Sequence, residues 1–257
     1  MVDPLYQSLM DDVYKALKAL PKQRPEQIDE KSHLDFVTDL DLNINGVVTR
    51  LIKTYFPDDN VISEETWGSA KVLKVNPIWI IDPLDGTSNF VSGLAFYACS
   101  IARIVDEKVD FGLVIDLVHD EVFSAQRGHG AFLNNTLIKP VSSPASFLGI
   151  STGFIKEVSG LPHELTGQVK LRLLGAQSLH LCYVACGRFR GAVNLESKIW
   201  DDVAGALIVT EAGGFYKSLY DIDLGKVDQW GESGTVAGLA LADHADQLQS
   251  DILKVLE

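Results

Sequence analysis

Residues 79 to 93 read WIIDPLDGTSNFVSG, and two acids in this stretch follow a run of apolar residues. The apolar run from Ile78 to Ile81 predicts a short buried strand, and Asp82 and Asp85 flank the turn at which it ends. A buried carboxylate is costly unless it has a partner. The stretch therefore predicts a buried strand whose end carries two acids of a functional site.

The residues that follow predict backbone donors at the same place. Gly86 permits a backbone angle that other residues rarely adopt, and Thr87 and Ser88 are good starters for a short helix. Free N–H groups at the start of that helix would face the same point as the acids. Donors and carboxylates together suit a metal ion that is bound to a phosphate.

The totals exclude several classes of protein. With 257 residues and 46% hydrophobic content, the chain can bury a substantial core in one large domain or two closely packed ones. No apolar run approaches the roughly 20 residues of a membrane helix, and the first residues are unlike a signal peptide, so we expect a cytoplasmic protein with no membrane partner. The net charge of −13 disfavours nucleic acid as a partner. Cys99, Cys182 and Cys186 lie in apolar runs and predict reduced core thiols.

The first part of the chain predicts two amphipathic helices. The first begins at Asp3 and Pro4 and ends near Pro21. The polar segment from Lys22 to His33 is predicted to be a loop. Thr38 then opens a second helix, and its spacing to Asp41 fits a capping box, which by itself explains the carboxylate at that position.

The rest of the chain predicts a change of architecture at its middle. Antiparallel strands are predicted between residues 95 and 125, whereas strands and helices alternate in the second half. The stretch from Lys139 to Ser146 has the composition of a linker. We therefore predict an α+β domain over residues 1–143 with most of the metal ligands, and an α/β domain over residues 144–257 with Asp201 and the substrate-side residues.

Four acids predict a metal site only when they are taken together. Glu64 follows a predicted strand and alone would be a loop acid, and Asp201 lies in the first turn of a predicted helix, where the helix dipole favours acids. No capping argument requires Asp82 and Asp85 beside their turn. Mg²⁺ prefers oxygen ligands and is usually shared with substrate phosphate, so the four acids could hold two cations.

The order of these motifs resembles a known family. Asp82-Pro-Leu-Asp-Gly-Thr87 is preceded by Ser63-Glu-Glu-Thr66 and followed by Trp200-Asp201 and by Glu211-Ala-Gly-Gly214, a combination similar to the inositol monophosphatase family of lithium-sensitive, Mg²⁺-dependent phosphatases. The resemblance spans nearly the whole chain. It implies an α/β fold of mixed α+β type, built as a layered α-β-α-β-α sandwich, and a homodimer.

The resemblance also implies the metal ligands. Glu64, Asp82 and the carbonyl of Leu84 would hold a first Mg²⁺ ion, and Asp82, Asp85 and Asp201 would hold a second. A third, looser ion would share Glu64, which gives two or three ions per active site.

Further residues correspond to the phosphate-binding and catalytic positions of the family. Thr87, paired with Asp41, would orient or deprotonate the attacking water, and the N–H groups of Gly86 and Thr87 would hold the phosphate of a small substrate. Lys31 resembles the family lysine, although its spacing to Asp41 is one residue shorter. The capping and catalytic roles of Asp41 are expected to coexist only in part, since one carboxylate oxygen cannot serve two distant donors.

The substrate side departs from the family pattern. Gly175, Ala176 and Gln177 correspond to positions that contact the sugar or inositol, but Asn194 stands where the family has an acid. Asn194 is equally well explained as a turn residue at the end of a strand. Inositol 1-phosphate is the first expectation for the substrate.

Two alternatives stay open. One is a phosphatase for fructose 1,6-bisphosphate or adenosine 3′,5′-bisphosphate, which would need cationic contacts that Arg172, Arg188 or Arg190 could offer. The other is a metal-binding regulatory protein with vestigial catalysis.

Overall fold

The computed structural model describes residues 2–21, 25, 27–32, 35–69, 77–141, 146–158, 163–243 and 247–256. Its helices are α1 (Pro4–Ala19), α2 (Asp39–Tyr55), α3 (Thr87–Ser92), α4 (Thr152–Glu157), α5 (His163–Gln168), α6 (Gln177–Ala185), α7 (Ile199–Ala212) and α8 (Gln247–Leu256). Short 3-10 helices cover Glu64–Ser69 and Val227–Gln229.

The strands form three sheets within these residues. They are β1 (Ile28–Ser32), β2 (Asp35–Thr38), β3 (Asn60–Ser63), β4 (Ile78–Asp85), β5 (Ala98–Val105), β6 (Lys108–Asp116), β7 (Glu121–Gln126), β8 (Gly130–Leu133), β9 (Thr136–Leu137), β10 (Phe147–Ile150), β11 (Lys170–Arg172), β12 (Gly191–Asn194), β13 (Phe215–Ser218) and β14 (Gly238–Leu241). The large sheet has the order β3-β4-β5-β6-β7-β8-β9, and the smaller one has the order β11-β10-β12-β14-β13. Strands β1 and β2 pair as a separate antiparallel hairpin.

The two large sheets enclose a layer of helices. Alternate residues of β4 point to opposite faces, so Trp79 and Ile81 join the core under α1 and α2, whereas Ile78 and Ile80 join the central core with α6 and α7. A third core packs α4, α5 and α8 on the outer face of the smaller sheet. The layers therefore follow the predicted order α-β-α-β-α.

Helix α7 lies deep between the sheets because glycines let it approach its neighbours. A Cβ atom on Gly112 of β6 would lie 2.8 Å from the carbonyl oxygen of Ala204, and one on Gly205 would lie 2.6 Å from Leu181 of α6. These contacts hold α7 against both the large sheet and α6. The first turn of α7, with Asp201, is thereby directed toward the end of β4.

Some local predictions agree with the structure and one is wrong. Asp3 caps α1 by accepting the N–H of Leu5 at 2.8 Å, as predicted. The predicted loop from Lys22 to His33 instead contains β1, which pairs with β2 through backbone hydrogen bonds and needs no alternation of apolar residues. Residues 142–145 of the predicted linker lie outside the described residues.

The central core draws side chains from both predicted domains, from Ile62 to Ala242. The boundary near residue 143 stays a prediction. Cys99, Cys182 and Cys186 are free thiols, and burial raises the pKa of the first two, as expected of core cysteines. Within the described ranges, we find no helix with the length and apolar character needed to cross a membrane.

Candidate active site

The end of β4 is bulged at the two acids of the opening stretch. Asp82 pairs with Ser100 of β5 and Asp85 with Ala98, so three steps along β4 correspond to two along β5. The carboxylate of Asp82 accepts the N–H of Leu84 at 3.0 Å, which stabilises this bulge. Both acids are at most 8% exposed. The strand therefore delivers two nearly buried carboxylates to one side of the large sheet.

A cavity of about 320 Å³ lies at this end of β4. It brings together eight of the predicted site residues: Glu64, Asp82, Leu84, Asp85, Gly86, Thr87, Gly175 and Asp201. The structure adds Phe36, Ser88, Lys198 and Trp200 to its walls, none of which was predicted. The acids thus come from three elements of the fold, namely the 3-10 helix after β3, the bulged end of β4, and α7.

A second cavity of about 190 Å³ adjoins the first and shares Asp85, Gly175 and Asp201 with it. The remaining predicted substrate-side residues, Ala176, Gln177 and Asn194, line this second cavity. We call the first the acid cavity and the second the side cavity. The predicted phosphate-side and substrate-side residues therefore separate into two adjoining spaces.

Asp41 divides its two carboxylate oxygens between two neighbours. Oδ2 accepts the N–H of Thr38 at 2.8 Å and also the Thr38 hydroxyl, which caps α2. Oδ1 accepts the hydroxyl of Thr87 at 3.0 Å. Capping of α2 and pairing with Thr87 therefore use different oxygens of Asp41. The competition for a single oxygen that we expected does not arise.

The Thr87 hydroxyl lies between two acceptors. Besides Asp41 it reaches the carbonyl oxygen of Leu84 at 2.8 Å. A hydroxyl has one proton to donate, so the bonds to Asp41 and Leu84 alternate unless the carboxyl of Asp41 is protonated. Burial raises the pKa of Asp41 against the opposing effect of its hydrogen bonds from Thr38 and Thr87, which favours the protonated form.

Burial and mutual repulsion raise the pKa values of the acids in the absence of a cation. Burial is the largest cause at Asp82, followed by the charges of Glu64 and Asp85. At Asp201 burial is again first, followed by the charge of Asp85. Burial raises the pKa of Asp85 to about 6 even though Ser178 donates to it. A cation bound among these carboxyl groups would stabilise their charged form and lower their pKa values.

The donor set fits a hard divalent cation. Among the described residues, no three or more His, Cys, Asp or Glu side chains are arranged as a group that could hold a metal ion by themselves. Mg²⁺ does not require one, since it keeps several waters and binds through one or two carboxylates together with substrate phosphate. Buried carboxylates that lie beside an open cavity and repel one another suit that mode of binding.

Asp85 and Asp201 are each held by a helix start. Asp85 Oδ2 accepts the N–H of Ser178 at 2.7 Å and its hydroxyl at 2.5 Å, at the start of α6. Asp201 Oδ2 accepts the N–H of Lys198 at 2.8 Å, so it caps its own helix, as the helix-dipole argument predicts. The second carboxylate oxygen of each residue is not used by these caps.

Two glycines shape the floor of the site. Gly86 has φ +94°, and a Cβ there would lie 3.0 Å from the carbonyl oxygen of Phe96, so only glycine fits the turn. Gly175 has φ +79° and packs on Asn89, whose amide donates to Phe96 O and Leu174 O at 2.7 Å each. Asn89 therefore fixes α3 to the loop that carries Gly175.

Lys31 lies at the edge of the acid cavity rather than within it. Its ammonium group is 3.0 Å from Glu64 Oε1 and 2.8 Å from Glu65 Oε1. The shorter spacing to Asp41 is accommodated because Lys31 lies on β1 of the unpredicted hairpin. The ion pair partly neutralises Glu64.

The substrate-side predictions have mixed structural support. Asn194 ends β12, and its Oδ1 accepts the N–H of Glu196 at 2.9 Å, which is the turn geometry that we considered as its alternative explanation. Gln177 Nε2 donates to the buried carboxylate of Asp202 at 3.0 Å, and Tyr216 donates to the same carboxylate at 2.6 Å. Whether Asn194 contacts a substrate stays a prediction.

The three arginines considered for a second phosphate line neither cavity. Arg188 forms a bidentate pair with Glu121, and Arg172 stacks on the ring of Phe147 at 4.0 Å. Arg190, like the other two, is absent from the walls of both cavities.

Sequence reasoning missed Lys198, Glu196 and His180, which do line the cavities. Glu196 lies in the turn after β12, two residues beyond Asn194, and its closeness in sequence to that predicted position is the signal that could have found it.

The site and the layered fold together define a class of protein. The chain belongs to the inositol monophosphatase family, whose sequence profile matches residues 2–221. The family prediction made from the aspartate motif is thereby confirmed.

Individual relatives differ in their names. Inositol monophosphatase 3 of Solanum lycopersicum is 36% identical over 206 residues, which cover 75% of this chain and 76% of that protein. The putative Nus factor SuhB of Neisseria meningitidis serogroup B (strain MC58) is 38% identical over 218 residues, 81% of each chain. The structure of an IMPase from Thermotoga maritima matches with a TM-score of 0.79 at 27% identity, covering 99% of this chain and 98% of that one.

Proposed function

We propose that this protein is a Mg²⁺-dependent phosphomonoesterase that acts on the monophosphate of a small polyol or sugar, with inositol 1-phosphate as the first candidate. The observation that carries the proposal is the pair of adjoining cavities. The acid cavity has carboxylates that can bind a cation and backbone N–H groups that can bind a phosphate. The side cavity has space for the leaving group of the substrate.

Four acids and one carbonyl are proposed to hold the cations. Glu64, Asp82 and Leu84 O would bind one Mg²⁺ ion, and Asp82 with Asp85 and Asp201 would bind another, with a third ion shared at Glu64. When bound, such cations polarise phosphoryl oxygens, lower the pKa of an attacking water and stabilise the departing oxygen.

Thr87 and Asp41 are proposed to hold the attacking water. The Thr87 hydroxyl accepts a hydrogen bond from water while its own proton points to Asp41 Oδ1 or to Leu84 O, at 3.0 and 2.8 Å. Because Asp41 is anchored through its other oxygen to Thr38, the pair has a fixed orientation. Asp41 can also take up a proton, since burial raises its pKa.

The phosphate is proposed to lie against the backbone of Gly86 and Thr87. The first N–H groups of a helix have no partner within the helix, and α3 begins at Thr87. The left-handed turn at Gly86 lets the backbone come close to a ligand without a side chain in between.

The side cavity favours an uncharged leaving group. Neither Lys nor Arg is among the residues that line it, and Glu196 adds a carboxylate. A second phosphate there would lack a counter-charge, which argues against fructose 1,6-bisphosphate and adenosine 3′,5′-bisphosphate. Its volume of about 190 Å³ suits a small molecule.

The regulatory alternative has less support from the chain itself. Several relatives carry the name of a Nus factor. A protein without catalysis needs neither a paired threonine and aspartate at a cation site nor a second cavity beside it. We therefore retain catalysis as the proposed function. A homodimer and sensitivity to Li⁺ are further expectations from the resemblance, and a cytoplasmic location and a domain boundary near residue 143 are expectations from the composition of the chain.

The test is a phosphate-release panel with inositol 1-phosphate, fructose 1,6-bisphosphate and adenosine 3′,5′-bisphosphate, with and without Mg²⁺ and Li⁺. We expect Mg²⁺-dependent release with the highest kcat/KM for inositol 1-phosphate. Asp82→Asn should abolish release and leave the circular dichroism spectrum unchanged, whereas the exposed control Asp58→Asn should be fully active. Turnover retained in Asp82→Asn would sink the assignment.

A further inference from the structure

Two residues that line the side cavity each have a buried polar atom with no partner among the described residues. They are Gln177 Oε1 and His180 Nε2, on side chains that belong to residues only 5% and 3% exposed. Buried polar atoms are nearly always hydrogen-bonded in native proteins. Two unpaired atoms on residues that line one small cavity therefore indicate that a ligand supplies their partners.

The orientation of Gln177 leaves a hydrogen-bond acceptor unused. Its Nε2 donates to Asp202 Oδ1 at 3.0 Å, and a carboxylate can only accept from it. The amide is therefore not free to turn, and Oε1 is the atom without a partner. A hydroxyl group of a ligand is a donor that matches this oxygen.

His180 is held in place by its surroundings. Its ring lies 5.9 Å from the ring of Phe96 and 5.6 Å from that of Phe189, between centroids. A Cβ on Gly149 would come within 3.0 Å of the imidazole, so that glycine makes room for the ring. Burial lowers the pKa of His180 to about 4, and the ring is neutral at pH 7, when it can exchange hydrogen bonds with hydroxyls but cannot neutralise a phosphate.

Glu196 contributes the carboxylate of the side cavity. Its Oε1 accepts the N–H of Gly153 at 2.9 Å, in the first turn of α4. A Cβ on Gly153 would lie 2.9 Å from Glu196 Oε2, so glycine at that position permits the contact. One oxygen thus anchors the side chain to the backbone while the other is available to a ligand.

We propose that Glu196, His180 and Gln177 bind the hydroxyl groups of the leaving polyol, and that Glu196 rather than Asn194 is the acidic specificity residue of this chain. The inference rests on the proposed phosphatase function, which it deepens. Asn194 is less suited to the task because its oxygen is already used by the N–H of Glu196. A carboxylate, an amide oxygen and a neutral imidazole can exchange hydrogen bonds with adjacent hydroxyl groups. They carry no positive charge, so they disfavour a second phosphate.

The test compares two substrates that differ in their leaving groups. Glu196→Gln keeps an oxygen for the N–H of Gly153 but removes the charge. Its kcat/KM for inositol 1-phosphate should fall roughly ten- to hundredfold, mainly through KM, because hydrogen bonds to a charged group are lost. Its kcat/KM for phenyl phosphate, which has no hydroxyl on the leaving group, should change less than about twofold on the same reasoning. Glu157→Gln, an exposed residue at the end of α4, is the matched control for charge.

A second measurement separates this inference from the proposed function. Binding of free myo-inositol is followed by saturation-transfer NMR in the presence of Mg²⁺ and inorganic phosphate, and it should be lost in Glu196→Gln and kept in Glu157→Gln. Inositol binding that depends on Glu196 in a protein that releases no phosphate would overturn the phosphatase and support the subsite. If Glu196→Gln and Glu157→Gln release phosphate from inositol 1-phosphate with the same kcat and KM, the subsite is refuted and the phosphatase function is not.

His180→Leu distinguishes ligand binding from a structural role. If His180 serves the ligand, the variant should melt at the same or a higher temperature, since an unpaired buried polar group is removed, while kcat/KM for inositol 1-phosphate falls about tenfold or more. A lower melting temperature with unchanged kinetics for both substrates would show that His180 is only a packing residue.

Discussion

Protonation of Asp85 and Asp202 should stabilise the metal-free protein as the pH is lowered from 7.5 to 5. His180 acts in the opposite direction by about 2 kcal/mol, because burial lowers its pKa from 6.5 to about 4 and only the unfolded state gains its proton in this range. Burial raises the pKa of Asp85 and of Asp202 from 3.8 to about 6. Between these two values the folded state binds protons that the unfolded state lacks, so the free energy of unfolding falls as the pH rises through that window. The sign is opposite to that of a salt-bridged carboxylate such as Glu121, whose pKa is lowered by Arg188.

The magnitude follows from the size of the pKa difference. One pKa unit corresponds to about 1.4 kcal/mol. At pH 5, about one unit below the folded pKa, Asp85 and Asp202 should each add about 1.4 kcal/mol relative to pH 7.5, or about 3 kcal/mol together. Asp82 and Asp201, whose pKa values are also raised by burial, add in the same direction.

The assay is urea denaturation in EDTA at both pH values. Asp202→Asn should lose about 1.4 kcal/mol of the gain, since it removes one titrating carboxyl, whereas Asp58→Asn in the turn after α2 should retain it. Saturating Mg²⁺ should reduce the gain, because the cation binds the deprotonated acids. An equal change between pH 7.5 and 5 in Asp202→Asn and Asp58→Asn would refute the reasoning.

Substitutions at three positions test how the site is built. Thr87→Ser should keep most of the turnover and Thr87→Val should lose it, as measured by kcat with saturating Mg²⁺, and equal rates would remove the hydroxyl from the mechanism. Gly86→Ala should cost about 1–3 kcal/mol of stability in urea denaturation, because φ is +94° there, and should lower kcat. Asn89→Ala leaves two carbonyls without their donor and should cost about 1–3 kcal/mol, together with a higher KM; an unchanged KM would show that the Gly175 loop is held by other contacts.

The acids of the site could be predicted from sequence because local rules failed to explain them. Asp82 and Asp85 follow an apolar run and cap no helix next to them in sequence, so their chemistry was the remaining reason for their presence. The two faces of β4 follow from the alternation of side chains in a strand. The five-layered fold itself came from the family resemblance, since alternation alone does not determine how two sheets pack around shared helices.

The hairpin of β1 and β2 could not be predicted because it carries little apolar pattern. Its first strand reads Ile28-Asp-Glu-Lys-Ser32, and it is held by backbone pairing to Asp35–Thr38. The role of His180 in the side cavity was missed for a different reason. His180 reads as one more residue of a buried helix, and its lack of a partner is visible only in three dimensions.

The origin of the four acids has a consequence for how this protein can be monitored. Asp82 belongs to β4 of the large sheet and Asp201 to α7 of the central helix layer, and their carboxylates meet only while α7 is packed on that sheet. A cation that bridges them would act as a reversible cross-link over more than a hundred residues of chain, and its affinity would add directly to the stability of the folded state. Variants that loosen α7 on the large sheet would therefore show a smaller gain of stability from Mg²⁺, whereas core variants that leave the two elements in place would keep the full gain.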